Sequence, residues 1–158
     1  MAKILVVYYS RTGMARRIAL EVAARCGADV EQIRDPTTRT GMFGFVRCAY
    51  EAIRERLAPI APAAVDVSRY DLVVLGTPVW ASNVSSPMRS FVQVHAAKLK
   101  RVALFCTQGG SGGPKVLQQL AALCGKTAVA TLVLREADIK GARYASELDD
   151  FVAAIAKQ

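Results

Sequence analysis

Between Leu72 and Arg135 the chain has no aspartate or glutamate, although that stretch holds seven lysines and arginines. The whole 158-residue chain carries a formal net charge of +8. That balance favours acidic partners and phosphate-bearing ligands. No basic–aromatic RNA-binding signature and no helix-turn-helix pattern accompanies it, so nucleic acid is not an expected partner. No apolar run approaches the ~20 residues of a membrane span, and a membrane partner is not expected either. The apolar run near the N-terminus, Ile4 to Tyr9, is too short for a secretory signal and lacks a small-residue cleavage site. The expected compartment is the cytoplasm.

Metal-binding and nucleotide signatures are also missing. The four cysteines (Cys26, Cys48, Cys106, Cys124) form no C-x-x-C pair, and His95 is the only histidine. The thiols therefore read as buried and free, His95 as solvated at a polar helix end, and no metal is expected. There is no Walker A run and no G-x-G-x-x-G after the first strand. There is no G-x-S-x-G elbow. A phosphoacceptor carboxylate would have to follow the third strand, and Gly76-Thr77-Pro78 stands there.

What is present is a regular alternation. Apolar runs at Ile4–Tyr9, Val30–Arg34, Leu72–Gly76, Val102–Phe105 and Thr127–Leu134 read as strands. Helical patterns fill the gaps at 14–26, 43–57, from Ser86 with Ser86 capping and Pro87 in the first turn, around Val116–Leu123, and at 143–156. In 43–57 the stripe Phe45, Ala49, Ile53, Leu57 is the expected inner face. The pattern predicts one α/β domain over 1–158, a doubly wound five-stranded parallel sheet of order 2-1-3-4-5 with helices on both faces. Ligands of such sheets gather at the carboxyl ends of the strands.

Three loops at that edge are unlike ordinary turns. Ser10-Arg11-Thr12-Gly13 delivers hydroxyls and backbone N–H groups to a helix N-terminus, which suits an anion. After the third strand, Trp80, the only tryptophan, sits in a loop between Pro78 and Asn83 and reads either as a core residue or as a flat stacking surface. The glycine run Gly109 to Gly113 follows the fourth strand. A phosphate site beside a ring surface implies a mononucleotide.

Ser10-x-Thr12-Gly13, Gly76-Thr77-Pro78-Val79-Trp80-Ala81 and Thr107-Gln108-Gly109-Gly110 resemble the loops of flavodoxins and flavodoxin-like FMN proteins of the short-chain type. The resemblance implies FMN as cofactor. Its phosphate would lie against Ser10, Arg11, Thr12, Gly13, Met14 and Ala15. Its ring would lie along Thr77, Pro78, Val79, Trp80 and Asn83, with its polar edge at Cys106, Thr107, Gln108, Gly109 and Gly110. Two departures stand out. Met14-Ala15 replaces the Asn/Gln-Thr pair of the family, which removes a hydroxyl donor for which Arg11 could compensate. No aromatic residue stands at Gln108–Gly110 to cover the second ring face.

The resemblance implies a flavin-dependent oxidoreductase or electron carrier. One form is a shuttle to an acidic-surfaced redox partner protein. The other reduces a quinone or similar small acceptor with NAD(P)H. No catalytic side chain is assigned, because the flavin carries the redox chemistry. A third reading keeps the fold as a non-catalytic anion- or partner-binding module. The basic segment also implies a less negative potential for the second electron than in acidic flavodoxins. Oligomeric state is open.

Overall fold

Alternate side chains of each central strand divide between two separate cores. In the computed structural model, which describes residues 2–37 and 39–158, β1 (Ile4–Tyr8) sends Leu5 and Val7 to one face and Val6 and Tyr8 to the other. The first face meets α2 (Gly41–Ile53), α3 (Ser86–His95) and α4 (Gly113–Cys124) through Ala52, Met88, Phe91, Val116 and Leu120. The second meets α1 (Met14–Cys26) and α6 (Ala145–Ala156) through Ile18, Val22, Leu148, Phe151 and Ile155. Strands buried on both faces explain the near-continuous apolar runs of the sequence.

β2 (Asp29–Gln32), β1, β3 (Leu72–Trp80), β5 (Val102–Gln108) and β6 (Thr131–Arg135) are parallel neighbours in that order. This is the expected doubly wound order. The sheet has one strand more than expected: β4 (Asn83–Val84) pairs antiparallel with the end of β3. A short α5 (Glu136–Lys140) also precedes α6.

Four expectations change. The third strand does not end at Gly76 but continues through Pro78 to Trp80. Its pairing with β1 stops at Tyr8–Gly76, whereas pairing with β5 continues to Pro78–Thr107. Beyond Gly76 one side of β3 is therefore an edge, where a proline's missing N–H is tolerated. The expected loop at 79–83 is a tight hairpin, turning at Ala81 (φ 49°) and Ser82 (φ 60°). Helix 43–57 is really 41–53, and its inner face is Gly44, Cys48, Glu51 and Ala52, leaving Phe45, Ile53 and Leu57 exposed. A Cβ at Gly44 would lie 2.2 Å from the Arg39 carbonyl carbon, so backbone contact, not a large apolar stripe, seats this helix. Ser85 rather than Ser86 occupies the N-cap of α3, and its Oγ pairs with Thr77 Oγ1 at 2.8 Å.

The remaining differences are smaller. The second and last strands are shorter than their apolar runs. His95 is half-buried against the Phe91 ring (4.4 Å between centroids), and burial lowers its pKa. Among the described residues the four cysteines are unpaired, and burial pushes the Cys106 thiol up to about 12. Also among them, no helix is long and apolar enough to cross a membrane.

Gly76 is packed beneath Phe105: a Cβ there would lie 2.0 Å from the ring's Cζ. Gly76→Ala is expected to cost about 1–3 kcal/mol by overpacking. Urea unfolding would show a lower midpoint at unchanged slope; an unchanged midpoint would contradict this packing.

Candidate active site

The cleft at the carboxyl ends of β1, β3 and β5 begins with the β1–α1 loop. Gly13, at φ 96°, is the N-cap of α1, and the first helical bond runs from the Arg17 N–H to the Gly13 carbonyl. The N–H groups of Met14, Ala15 and Arg16 are thus the orphan donors of the helix start. No acid lies in that first turn, so nothing opposes the positive end of the helix dipole. Ser10 Oγ accepts the Gly13 N–H at 3.0 Å and holds the loop closed. Thr12 stands exposed in the cleft wall.

The second wall is the β3–β4 hairpin with Pro78, Val79 and Trp80. Its shape is fixed by α4: Gln119 Nε2 donates to Asn83 Oδ1 at 2.7 Å, and Gln119 Oε1 accepts the Val84 N–H at 3.1 Å. The third wall is the β5–α4 loop. Gln108 Oε1 accepts the Gly113 N–H at 2.8 Å and closes that loop. A Cβ at Gly112 (φ 99°) would lie 2.9 Å from Ser82 Cα, so the second and third loops touch. Together these walls enclose a cleft of about 430 Å³, within the ~300–1,000 Å³ of small-molecule sites.

Of the residues expected from sequence, Arg11, Thr12, Pro78, Val79, Trp80, Gly109 and Gly110 line the cleft. Ser10, Gly13, Met14 and Ala15 belong to the adjoining start of α1 and do not line the cleft. The Ala15 side chain is fully buried in the core beneath α1, leaving only its backbone N–H toward the helix start. Thr77, Asn83, Cys106, Thr107 and Gln108 are supports: Thr77, Cys106 and Thr107 are buried, and Asn83 and Gln108 spend their side chains on the bonds above. Missed were Phe45, Cys48 and Ala49 from α2, the hairpin tip Ala81 and Ser82, and Ser111 and Glu136. The continuous apolar character of 41–53 was the signal for α2; Glu136 lies far along the chain and carried none.

Trp80 is 7% exposed, the last residue of β3 rather than part of an open loop. Its ring meets Tyr9 edge-on at 5.5 Å, and the Arg39 guanidinium carbon lies 5.0 Å from its centroid. Trp80 is therefore a core residue that also lines the cleft. Arg39 is itself buried. Its Nε reaches Asp35 Oδ2 at 2.6 Å and its Nη1 reaches Glu51 Oε2 at 2.5 Å. Burial works against its charge, but the bonds to Asp35 and Glu51 outweigh it and raise the pKa. Burial likewise raises Tyr9 to about 12, and raises Cys48.

Charge in the cleft differs from the expectation. None of the seven basic residues of 72–135 lines it; Arg11 and Glu136 do. Arg11 is partly committed elsewhere, donating from Nε to the Arg39 carbonyl at 2.7 Å and from Nη2 to the Gly41 carbonyl at 3.3 Å.

Arg39→Ala would strand Asp35 as a buried carboxylate without its cation and leave Glu51 held only by the half-exposed Arg47, whose Nε lies 3.2 Å from Glu51 Oε1. A loss of about 3–5 kcal/mol is expected, together with a change in Trp80 emission, the chain's only tryptophan signal. Unfolding followed by circular dichroism and fluorescence would check both. A loss below about 1 kcal/mol, the level of an exposed pair, would show that the cluster is not dry.

The family model for flavodoxins matches residues 3–152. A flavoprotein from Lactobacillus acidophilus, solved in complex with FMN, superposes with a TM-score of 0.75 at 20% identity, covering 96% of this chain and 99% of that one. A flavoprotein from Bacteroides eggerthii gives 0.72 at 25%, covering 96% and 98%. The two-electron reduced flavodoxin of Megasphaera elsdenii gives 0.62 at 25%, covering 98% and 99%. The chain belongs to the flavodoxin family, whose cofactor is FMN.

Proposed function

We propose that this cleft holds FMN and that the protein is a redox flavoprotein using NAD(P)H to reduce a quinone or similar small acceptor. One observation carries the reading: Arg11 and Thr12, from the loop that leads into the acid-free start of α1, line the same cleft as the tryptophan wall. The residues fit the cofactor. The N–H groups of Met14, Ala15 and Arg16 and the Thr12 hydroxyl are donors for a phosphate. Pro78, Val79 and Trp80 offer an apolar wall for a ring. When bound, FMN supplies one- and two-electron chemistry.

The side chains hold and shield rather than transfer protons. Cys48 is a protonated thiol with its pKa raised by burial, and Glu136 is the only carboxylate among the cleft's described lining residues. Gly109 and Gly110 are exposed and add no side chain, so that wall leaves room for a small reductant or acceptor. This supports direct reduction by NAD(P)H over a shuttle served only by a partner protein. Free thiols throughout support a reducing, cytoplasmic setting.

NADPH mixed with FMN-loaded protein in a stopped-flow cell should bleach the flavin absorbance without a second protein. Bleaching only after a reductase is added would return the reading to a shuttle. Absence of flavin binding would leave the non-catalytic module. Thr12→Val should weaken FMN about 10–150-fold, the equivalent of one charge-assisted hydrogen bond, with folding unchanged; equal affinity would remove Thr12 from the site.

A further inference from the structure

Helix α2 turns its least polar side outward. Phe43 is 92% exposed, Met42 81%, Ile53 63% and Phe45 62%, with Val46 and Tyr50 also exposed. At helical spacing Met42, Phe43, Val46, Tyr50 and Ile53 cover one continuous face opposite Gly44, Cys48 and Ala52, while Phe45 turns to the cleft beside Arg11. Taking ~150–250 Å² for a whole aromatic side chain, Phe43 and Tyr50 alone present on the order of 300 Å², and Met42, Val46 and Ile53 extend the patch. A typical monomer's largest apolar patch is ~300–600 Å². A helix face this apolar is ordinarily covered.

The charge around this face is one-sided. Arg54 and Arg56 border it with Glu55 as the exposed acid beside them, while Arg47 commits its Nε to Glu51 at 3.2 Å. The Arg54 and Arg56 guanidinium carbons lie 5.7 and 5.4 Å from the Tyr50 ring centroid, so the cations sit at the level of the aromatic residues. A second copy would bring like-charged arginines together, on a chain that already carries +8. A transient protein partner would match a surface about as polar as the rest of the molecule, and this one is not. Protruding aromatics flanked by arginine suit a helix lying in the headgroup layer of an anionic bilayer.

We propose that α2 docks this protein on anionic membrane surfaces. The lack of a spanning segment excluded only insertion; a surface helix needs no span. Phe45 and Ala49 belong to both α2 and the cleft wall, so a docked molecule holds its cleft at the lipid surface. The docking does not depend on FMN.

Co-sedimentation of the full chain with vesicles tests this, with and without added FMN. The vesicles are phosphatidylcholine alone, or phosphatidylcholine with an equal part of phosphatidylglycerol. Binding should favour the anionic vesicles at least about tenfold, weaken with salt, and drop about fivefold for each of Arg54→Gln and Arg56→Gln. The double variant Met42→Ser/Phe43→Ser should lose at least about tenfold, since two exposed apolar side chains no longer enter the lipid, while its circular dichroism stays unchanged. Binding that survives the double variant, or no binding by the wild-type chain, overturns the proposal. A dimer in light scattering that the double variant splits, without vesicle binding, would assign the face to a second copy. A monomer without vesicle binding would assign it to an acidic protein. Vesicle binding by protein that takes up no flavin would fail the FMN reading alone.

Discussion

The register of β3 is the constraint from which the cleft follows. On one side it pairs with β1 only as far as Gly76; on the other it continues with β5 to Pro78–Thr107. Where β1 stops, its chain turns into the Ser10–Gly13 loop. Where β3 runs on, it carries Pro78, Val79 and Trp80 up as a wall beside that loop. The offset of a few residues makes a cleft out of what would otherwise be a level sheet edge. Right-handed crossovers place the helix starts at the same edge.

The wall is backed by charge. Arg39 lies against Trp80 and is held by Asp35 from the loop before α2 and by Glu51 from within it. This buried cluster replaces the apolar stripe that would ordinarily seat a helix. It accounts for two features together: α2 packs through small residues and an ion pair, and its large apolar residues remain outside. Buried pairs of this kind contribute little net stability over an apolar equivalent, yet losing one member is costly. The cluster thus fixes orientation more than it adds stability. Arg11, bonded to the Arg39 and Gly41 carbonyls, joins the same assembly to the β1–α1 loop side of the cleft.

Strand order and the helix after β1 were legible in the sequence because each rests on local signals. Apolar runs mark strands buried on both faces, and Gly13 and Gly27 mark the ends of α1. The hairpin at Ala81-Ser82 was not legible, since neither residue is a usual carrier of positive φ. Its geometry is imposed by Gln119, which lies 36 residues after Asn83. The inner face of α2 was misread because periodicity favours large apolar residues, and the sequence gives no sign that Arg39 pairs inward with Glu51. The supporting roles of Asn83 and Gln108 depend on hydrogen bonds that only the folded chain defines.

The central claim is that one cleft joins a phosphate-binding helix start to a tryptophan wall. Titrating the protein with FMN and with riboflavin, following Trp80 fluorescence, tests both ends at once. The account predicts quenching by both flavins and FMN binding at least about tenfold tighter, the contribution of one or more charge-assisted bonds to phosphate. Equal affinity for the two flavins, or binding that leaves Trp80 emission unchanged, would contradict it.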